Sequence, residues 1–292
     1  MELNSEFAGT RLKDYELTVT WRDTMNYAAS IEDNNPAYFD DESPDGIIAP
    51  PMYSVAATWP VSERIGEFID AADFPQEVIA TQVHYTEHLI FHSTIRPGSR
   101  LTIQGTLAAI LPHRAGTHVV IRFDASDADG APVFTEYIGG LMRGVKCAGE
   151  GRGGEILPPV PDAPGGGDPL WESPISIDPL RPFVYDGCTG IFFPIHTSVN
   201  FAHRVGLPGI ILQGTATLAY AVREITNREA GSDPRSVAEI ACRYTSMVLP
   251  GSDISVRCTG RNRTEGGDGV FFEVLNSIGE RAISRGYMKL RS

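Results

Sequence analysis

Alternation of apolar and polar residues carries most of the signal in this chain. Val78–Tyr85, Arg100–Leu107, His118–Ala125 and Val133–Gly144 are β-branched and alternating, as half-buried strands are. Arg96-Pro97-Gly98-Ser99 and Asp127-Ala128-Asp129-Gly130 punctuate them with turn chemistry. The second half repeats the order with Ser236–Tyr244, Leu249-Pro250-Gly251-Ser252, Ile254–Gly260, Gly269–Asn276 and Arg281–Lys289. An apolar segment of helical length precedes each set, Ala49–Ile69 in the first and Ile211–Thr226 in the second. In the latter, Leu212, Leu218, Ala219, Val222 and Ile225 fall near one helical face. One long helix followed by an antiparallel meander predicts an α+β half-domain whose sheet wraps the helix. Two such halves are expected to pack sheet edge to sheet edge.

A shorter repeat supports duplication. Asp33-Asn34-Asn35-Pro36-Ala37-Tyr38 and Ile191-Phe192-Phe193-Pro194-Ile195-His196 align on their prolines. A carboxylate opens one copy and an imidazole closes the other; neither holds both. Tyr27-Ala28-Ala29-Ser30 precedes the first and Tyr185-Asp186-Gly187-Cys188-Thr189-Gly190 the second. The strand-turn-strand units Ile95–Ile103 and Val248–Val256 repeat likewise. Between the copies, Gly149–Asp168 is rich in Gly and Pro and reads as an exposed linker. The predicted division is residues 1–148, a linker at 149–168, and residues 169–292.

Composition narrows the function classes. The chain has 292 residues, 42% hydrophobic, and its apolar runs fall short of the roughly 20 residues a membrane span needs. Met1-Glu2-Leu3-Asn4-Ser5-Glu6 has no signal-peptide character, so a soluble cytoplasmic protein is expected. Cys147, Cys188, Cys242 and Cys258 lack metal or disulfide spacing and read as free thiols. A net charge of −13 argues against nucleic acid. It leaves room for a CoA thioester, whose phosphates a few local arginines such as Arg100, Arg114, Arg143 or Arg243 can hold. His84, His88 and His92 would need a helix to converge on a metal, and their segment alternates as a strand does.

At these residues the chain resembles the MaoC-like hydratases, the (R)-specific enoyl-CoA hydratases and 3-hydroxyacyl-thioester dehydratases, and above all their double hot-dog members. The family pattern runs Tyr-x-x-x-Ser/Thr-Gly-Asp-x-Asn-Pro-x-His, followed by a helix opened by a glycine. Tyr27 through Pro36 match it in the first half; Thr189, Gly190, Pro194, Ile195, His196, Gly206, Leu207 and Gly214 match in the second. The resemblance implies a double hot-dog fold and addition or removal of water across the 2,3 double bond of an acyl-CoA. It implies no metal or redox cofactor, CoA being part of the substrate. It places Asp33, Tyr38 and His196 at the acid–base positions and Gly214 as the backbone donor to the thioester oxygen. Asn35, Gln213, Ile191 and Phe193 would border the substrate, with Arg243 a candidate for its phosphates.

The departures leave three readings open. Ile191 replaces the family's Asp in the second half, Tyr38 replaces its His in the first, and Gln213 replaces the His before Gly214. His196 could act with a relocated partner such as Asp186 or His203, or Asp33 and Tyr38 could form an altered first-half site. Otherwise the chain only binds a thioester or performs other chemistry on it, as a silent subunit or a thioesterase. Its expected assembly is a homodimer or a heteromer with a related hot-dog protein.

Overall fold

The two strand sets join into one antiparallel sheet of ten strands in the computed structural model, which describes residues 1–264 and 266–291. Outside it, β1 (Glu2–Asn4) pairs in parallel with a later short strand. The first half supplies β2 (Tyr15–Thr18), β3 (Gln82–Phe91), β4 (Arg100–His113), β5 (Gly116–Ser126) and β6 (Pro132–Arg143), and ends in β7 (Lys146–Ala148), the partner of β1. The second supplies β8 (Trp171–Ser176), β9 (Val237–Tyr244), β10 (Asp253–Thr264), β11 (Gly267–Leu275) and β12 (Arg281–Leu290). Their order, β2-β4-β5-β6-β3-β9-β12-β11-β10-β8, reads the same from either edge. The seam is β3 against β9. Glu87 pairs with Cys242 and Leu89 with Ile240, symmetrically about the pair His88 and Ala241, where a pseudo-two-fold axis passes.

The first half's helices are α1 (Trp21–Ser30), α2 (Pro36–Phe39), α3 (Tyr53–Glu63) and α4 (Ile65–Phe68). The second half's are α5 (Arg181–Thr189), α6 (Val199–Arg204) and α7 (Gly214–Glu229). α7 is buried nearly all round, hiding Ala216, Leu218, Ala219, Ala221, Val222 and Ile225 within the sheet. The apolar segment Ala49–Ile69 predicts one helix, but two shorter ones form. Pro50 and Pro51 precede the first turn, and Pro60 inside α3 cannot donate to the turn before it. Residues 76–81 form a 3-10 turn, so the strand expected from Val78 starts at Gln82.

Phe123, Phe134, Phe272, Leu89 and Leu101 are fully buried between sheet and helices, each such side chain stabilising the fold by roughly 1.5–3 kcal/mol. The Gly/Pro-rich segment lies against the sheet's outer face rather than free. Leu157 packs on Ala109, Val120 and Tyr137 of the first half, and Val160 on Ala241, Phe271 and Tyr287 of the second. Among the described residues no helix is long and apolar enough to cross a membrane.

Candidate active site

α1 and α5 carry the two motif loops and pack on each other across the axis. Thr20 caps α1 by accepting from the Asp23 N–H, and Gly190 ends α5 in the left-handed region at φ 70°. Tyr27 and Tyr185, equivalent in the repeat, hydrogen-bond through their hydroxyls at 2.9 Å. Beyond this symmetric contact the loops differ.

The first-half loop is held by the second half's helix. Arg223 of α7 donates to the Ile31 carbonyl at 2.6 Å, and the Asn35 amide donates to the Ser232 carbonyl, past the end of α7, at 2.7 Å. Arg181 donates to the Ser30 carbonyl at 2.7 Å and pairs with Glu32. Asn35 Oδ1 caps α2, while Asp33 Oδ1 accepts from the Asn35 N–H at 3.2 Å. Burial raises the Asp33 carboxyl, against the pull of that N–H and of Arg223. Tyr38 is buried among Ala28 and Ile48.

The second-half loop belongs to the other end of α7. His196 closes a 3-10 turn, Pro194–His196, and its Nδ1 donates to the Ile211 carbonyl at 2.8 Å. A carbonyl only accepts, so the proton sits on Nδ1 and Nε2 keeps its lone pair. Burial pushes the imidazole down to about 4, against the opposing effect of that hydrogen bond, so it is neutral at physiological pH. Three residues after Ile211, Gly214 opens α7 with no side chain capping its N–H groups, which leaves the positive end of the helix free. Gln213 turns away to donate to the Pro182 carbonyl at 2.9 Å, and its Oε1 is buried without a partner.

At 16 residues, α7 is about 24 Å long. Asp33 and His196, near its opposite ends, do not share a site. Matched backbone bonds show what stands at the glycine position in the first half. Ile48 and Ile211 donate to Ala37 and Ile195, and Ala49 and Leu212 to Ile95 and Val248. Pro51 is therefore the counterpart of Gly214, and a proline has no N–H to offer. A side chain at Gly214 would also press its Cβ to 3.1 Å from the Tyr244 ring.

Ile191 is buried, whereas Phe193 is 39% exposed and meets Phe201 edge-on. Arg243 stacks over Tyr85 at 5.7 Å on the sheet's outer face, away from the helices. His203 is exposed at the end of α6. Asp186 has one oxygen buried without a partner, and burial raises its carboxyl. Neither is hydrogen-bonded to His196. His88 points outward to Glu239 at 2.7 Å and His92 to Thr135 at 3.1 Å, while His84 faces inward.

A second group of polar side chains emerges only in the structure. A bulge in β3 between His84 and Thr86 turns both His84 and Glu87 to the concave face, with His84 Nε2 and Glu87 Oε2 at 3.1 Å. Glu136 lies on the same face. Burial raises the Glu87 carboxyl to about 8, and burial with the Glu87 charge raises that of Glu136 well above the usual range. Plain alternation puts Glu87 inward with Leu89 and Phe91 but His84 outward with His88 and His92, so the sequence gives no sign of this pairing.

Known proteins share both the motifs and the architecture. Residues 163–280 match the MaoC-like domain, and residues 6–136 match the FAS1-like dehydratase domain region. The second half is therefore similar to MaoC-like domains and the first to a FAS1-like dehydratase region. Over 274 residues the chain is 27% identical to the 3-hydroxyacyl-thioester dehydratase Y of Mycobacterium tuberculosis, covering 90% of this chain and 89% of the relative. The MaoC-like dehydratase of Phytophthora capsici superposes with a TM-score of 0.83 at 21% identity, over 97% of this chain and 96% of that one. A Mycobacterium tuberculosis protein described as a double hot-dog fold superposes with a TM-score of 0.62 at 11% identity, over 98% and 96%. The fold is the double hot-dog.

Proposed function

We propose that the chain is a hydro-lyase that adds water to, or removes it from, the 2,3 bond of an acyl-CoA thioester, in a site at the start of α7. One observation carries this reading: His196 is held neutral with Nε2 free, on a backbone segment three residues from the unpaired N–H of Gly214. In hydration, Nε2 takes a proton from water as the water oxygen bonds to C3. The electron pair of the double bond moves toward the thioester oxygen, where the Gly214 N–H and the helix dipole stabilise it. The imidazolium then returns one proton to C2, so one water is added and His196 is neutral again. Dehydration is the reverse. A single residue serves as base and then acid, because buried Ile191 can exchange no proton. Pro51 and Tyr38 leave the first half without either the donor or the imidazole, which favours the second half as the reacting one.

Crotonyl-CoA, followed by loss of enoyl absorbance, tests the reading. Wild type should hydrate it and His196→Ala should not. Release of free thiol would indicate a thioesterase instead, and binding without turnover a silent subunit.

A further inference from the structure

Gln213 stands immediately before the donor glycine and sends its side chain to a different helix. It is 1% exposed, and its Nε2 donates to the Pro182 carbonyl, in the first turn of α5, at 2.9 Å. Its Oε1 is buried without a partner. An unsatisfied buried acceptor lowers stability, and an apolar side chain of the same shape would avoid that cost. Stability alone therefore does not account for a glutamine at this place.

Pro182 is a fixed anchor. Arg181 beside it is buried, donates to the Ser30 carbonyl at 2.7 Å and pairs with Glu32 of the first-half loop. One turn on, Tyr185 is bonded to Tyr27. α5 also leads, through Gly190, into the turn that carries His196. The Gln213 bond thus ties the start of α7, which bears the donor, to the helix that leads to the base. His196 makes a complementary tie from its Nδ1 to the Ile211 carbonyl.

The repeat supplies an internal comparison. The match of Ile48 with Ile211 and of Ala49 with Leu212 makes Pro50 the counterpart of Gln213. The match of Tyr27 with Tyr185 makes Thr24 the counterpart of Pro182. Pro50 has no amide to send across, and the Thr24 hydroxyl turns back to the Trp21 carbonyl at 2.9 Å. At these positions the bridge is present only in the half that has the imidazole and the glycine N–H.

We propose that Gln213 is a positioning residue: by holding α7 to α5 it fixes the Gly214 N–H relative to His196 Nε2, so that donor and base engage one enoyl thioester together. This rests on the hydro-lyase reading. Gln213 acts through Gly214 and touches no reacting atom. The first half, whose own loop lacks the imidazole and the donor, then contributes to the reaction by holding the anchor through Arg181. Rate depends steeply on such placement, an error of about 1 Å being worth about 100-fold.

The test removes the amide and keeps the shape. Gln213→Met should lower kcat for crotonyl-CoA hydration by about tenfold to 100-fold, with KM changed by less than about twofold. Its Tm should stay near that of wild type, because removal of the orphaned acceptor offsets the lost bond. Should Gln213→Met fail to fold, Gln213→Asn, whose amide falls one carbon short of Pro182, decides in its place by the same loss of kcat. In the Gly214→Pro background, Gln213→Met should add less than about twofold, since no N–H remains to be placed. An unchanged kcat, a loss confined to KM or Tm, or full additivity with Gly214→Pro overturns the proposal. If wild type does not hydrate crotonyl-CoA, the hydro-lyase reading falls separately. Isotope-edited infrared spectra of bound butanoyl-CoA then still decide the placement of the donor. Wild type should lower the thioester carbonyl frequency more than Gln213→Met does, equal bands refuting the proposal.

Discussion

The hydroxyls of Tyr27 and Tyr185 meet at 2.9 Å at the centre of the molecule, both side chains fully buried and their rings edge to face. The two residues hold the same place in the repeat, so the contact joins the halves through equivalent positions. Their surroundings hold both phenols above the usual range, mainly by burial, so each stays neutral and able to donate.

Replacing either tyrosine with phenylalanine leaves the other hydroxyl without this partner and should cost about 1–2 kcal/mol. The double replacement should cost less than the sum, with a coupling of about 1 kcal/mol. Urea unfolding of the two singles and the double measures both quantities. Additive losses would show that the hydrogen bond contributes nothing to holding the halves together.

His196→Ala should lower kcat/KM for enoyl-CoA hydration by about 100-fold to 10,000-fold, the usual contribution of a positioned acid–base group. Asn35→Ala should leave activity intact and lower stability by about 1–2 kcal/mol, because it removes the cap of α2 and the bond to Ser232. Steady-state kinetics paired with thermal unfolding separates the two. A loss of activity in Asn35→Ala would return the chemistry to the first half.

The contrast between these residues shows what was legible in the sequence. The repeats at Pro36 and Pro194 and at Pro97 and Pro250 suffice to predict the duplication and the sheet wrapped on a helix. The division of roles needed backbone hydrogen bonds, since only the match of Ala49 with Leu212 places Pro51 opposite Gly214. β2 and β8 escaped because strands of four and six residues carry too few alternations. α1 did leave a signal, in the Thr20 cap with Asp23 in the first turn. His84 could not have been placed beside Glu87, because a bulge shifts the period of two between them and only the register of β3 on β6 reveals it.

Gly214→Pro should separate the donor role of the N–H from the glycine's small size. Proline is tolerated at the first position of a helix, and Pro51 already stands at the matching place in the first half. Its loss of the N–H should lower kcat by about 100-fold to 1,000-fold. Gly214→Ala brings a similar Cβ toward Tyr244 yet keeps the N–H, and should lose far less. Equal losses in the two variants would assign the effect to crowding by Tyr244 and remove the donor from the mechanism.

Stability should depend on pH through two sets of groups with opposite signs. Burial lowers His84, His118 and His196 to about 4, whereas an unfolded histidine titrates near about 6.5. The unfolded chain therefore binds more protons between these values. The histidine contribution is complete above the unfolded pKa and is lost as pH falls toward 4. Glu87 behaves in reverse. Its folded value of about 8 exceeds the usual 4.5, so its contribution is complete below the unfolded pKa and is lost as pH rises through the folded one. The Tm of Glu87→Gln minus that of wild type should increase between pH 6.5 and 9, the histidine contribution being common to both proteins and cancelling in the difference. A difference that stays flat across that range would show that Glu87 is ionised at neutral pH and would leave the carboxyl pair without its proton.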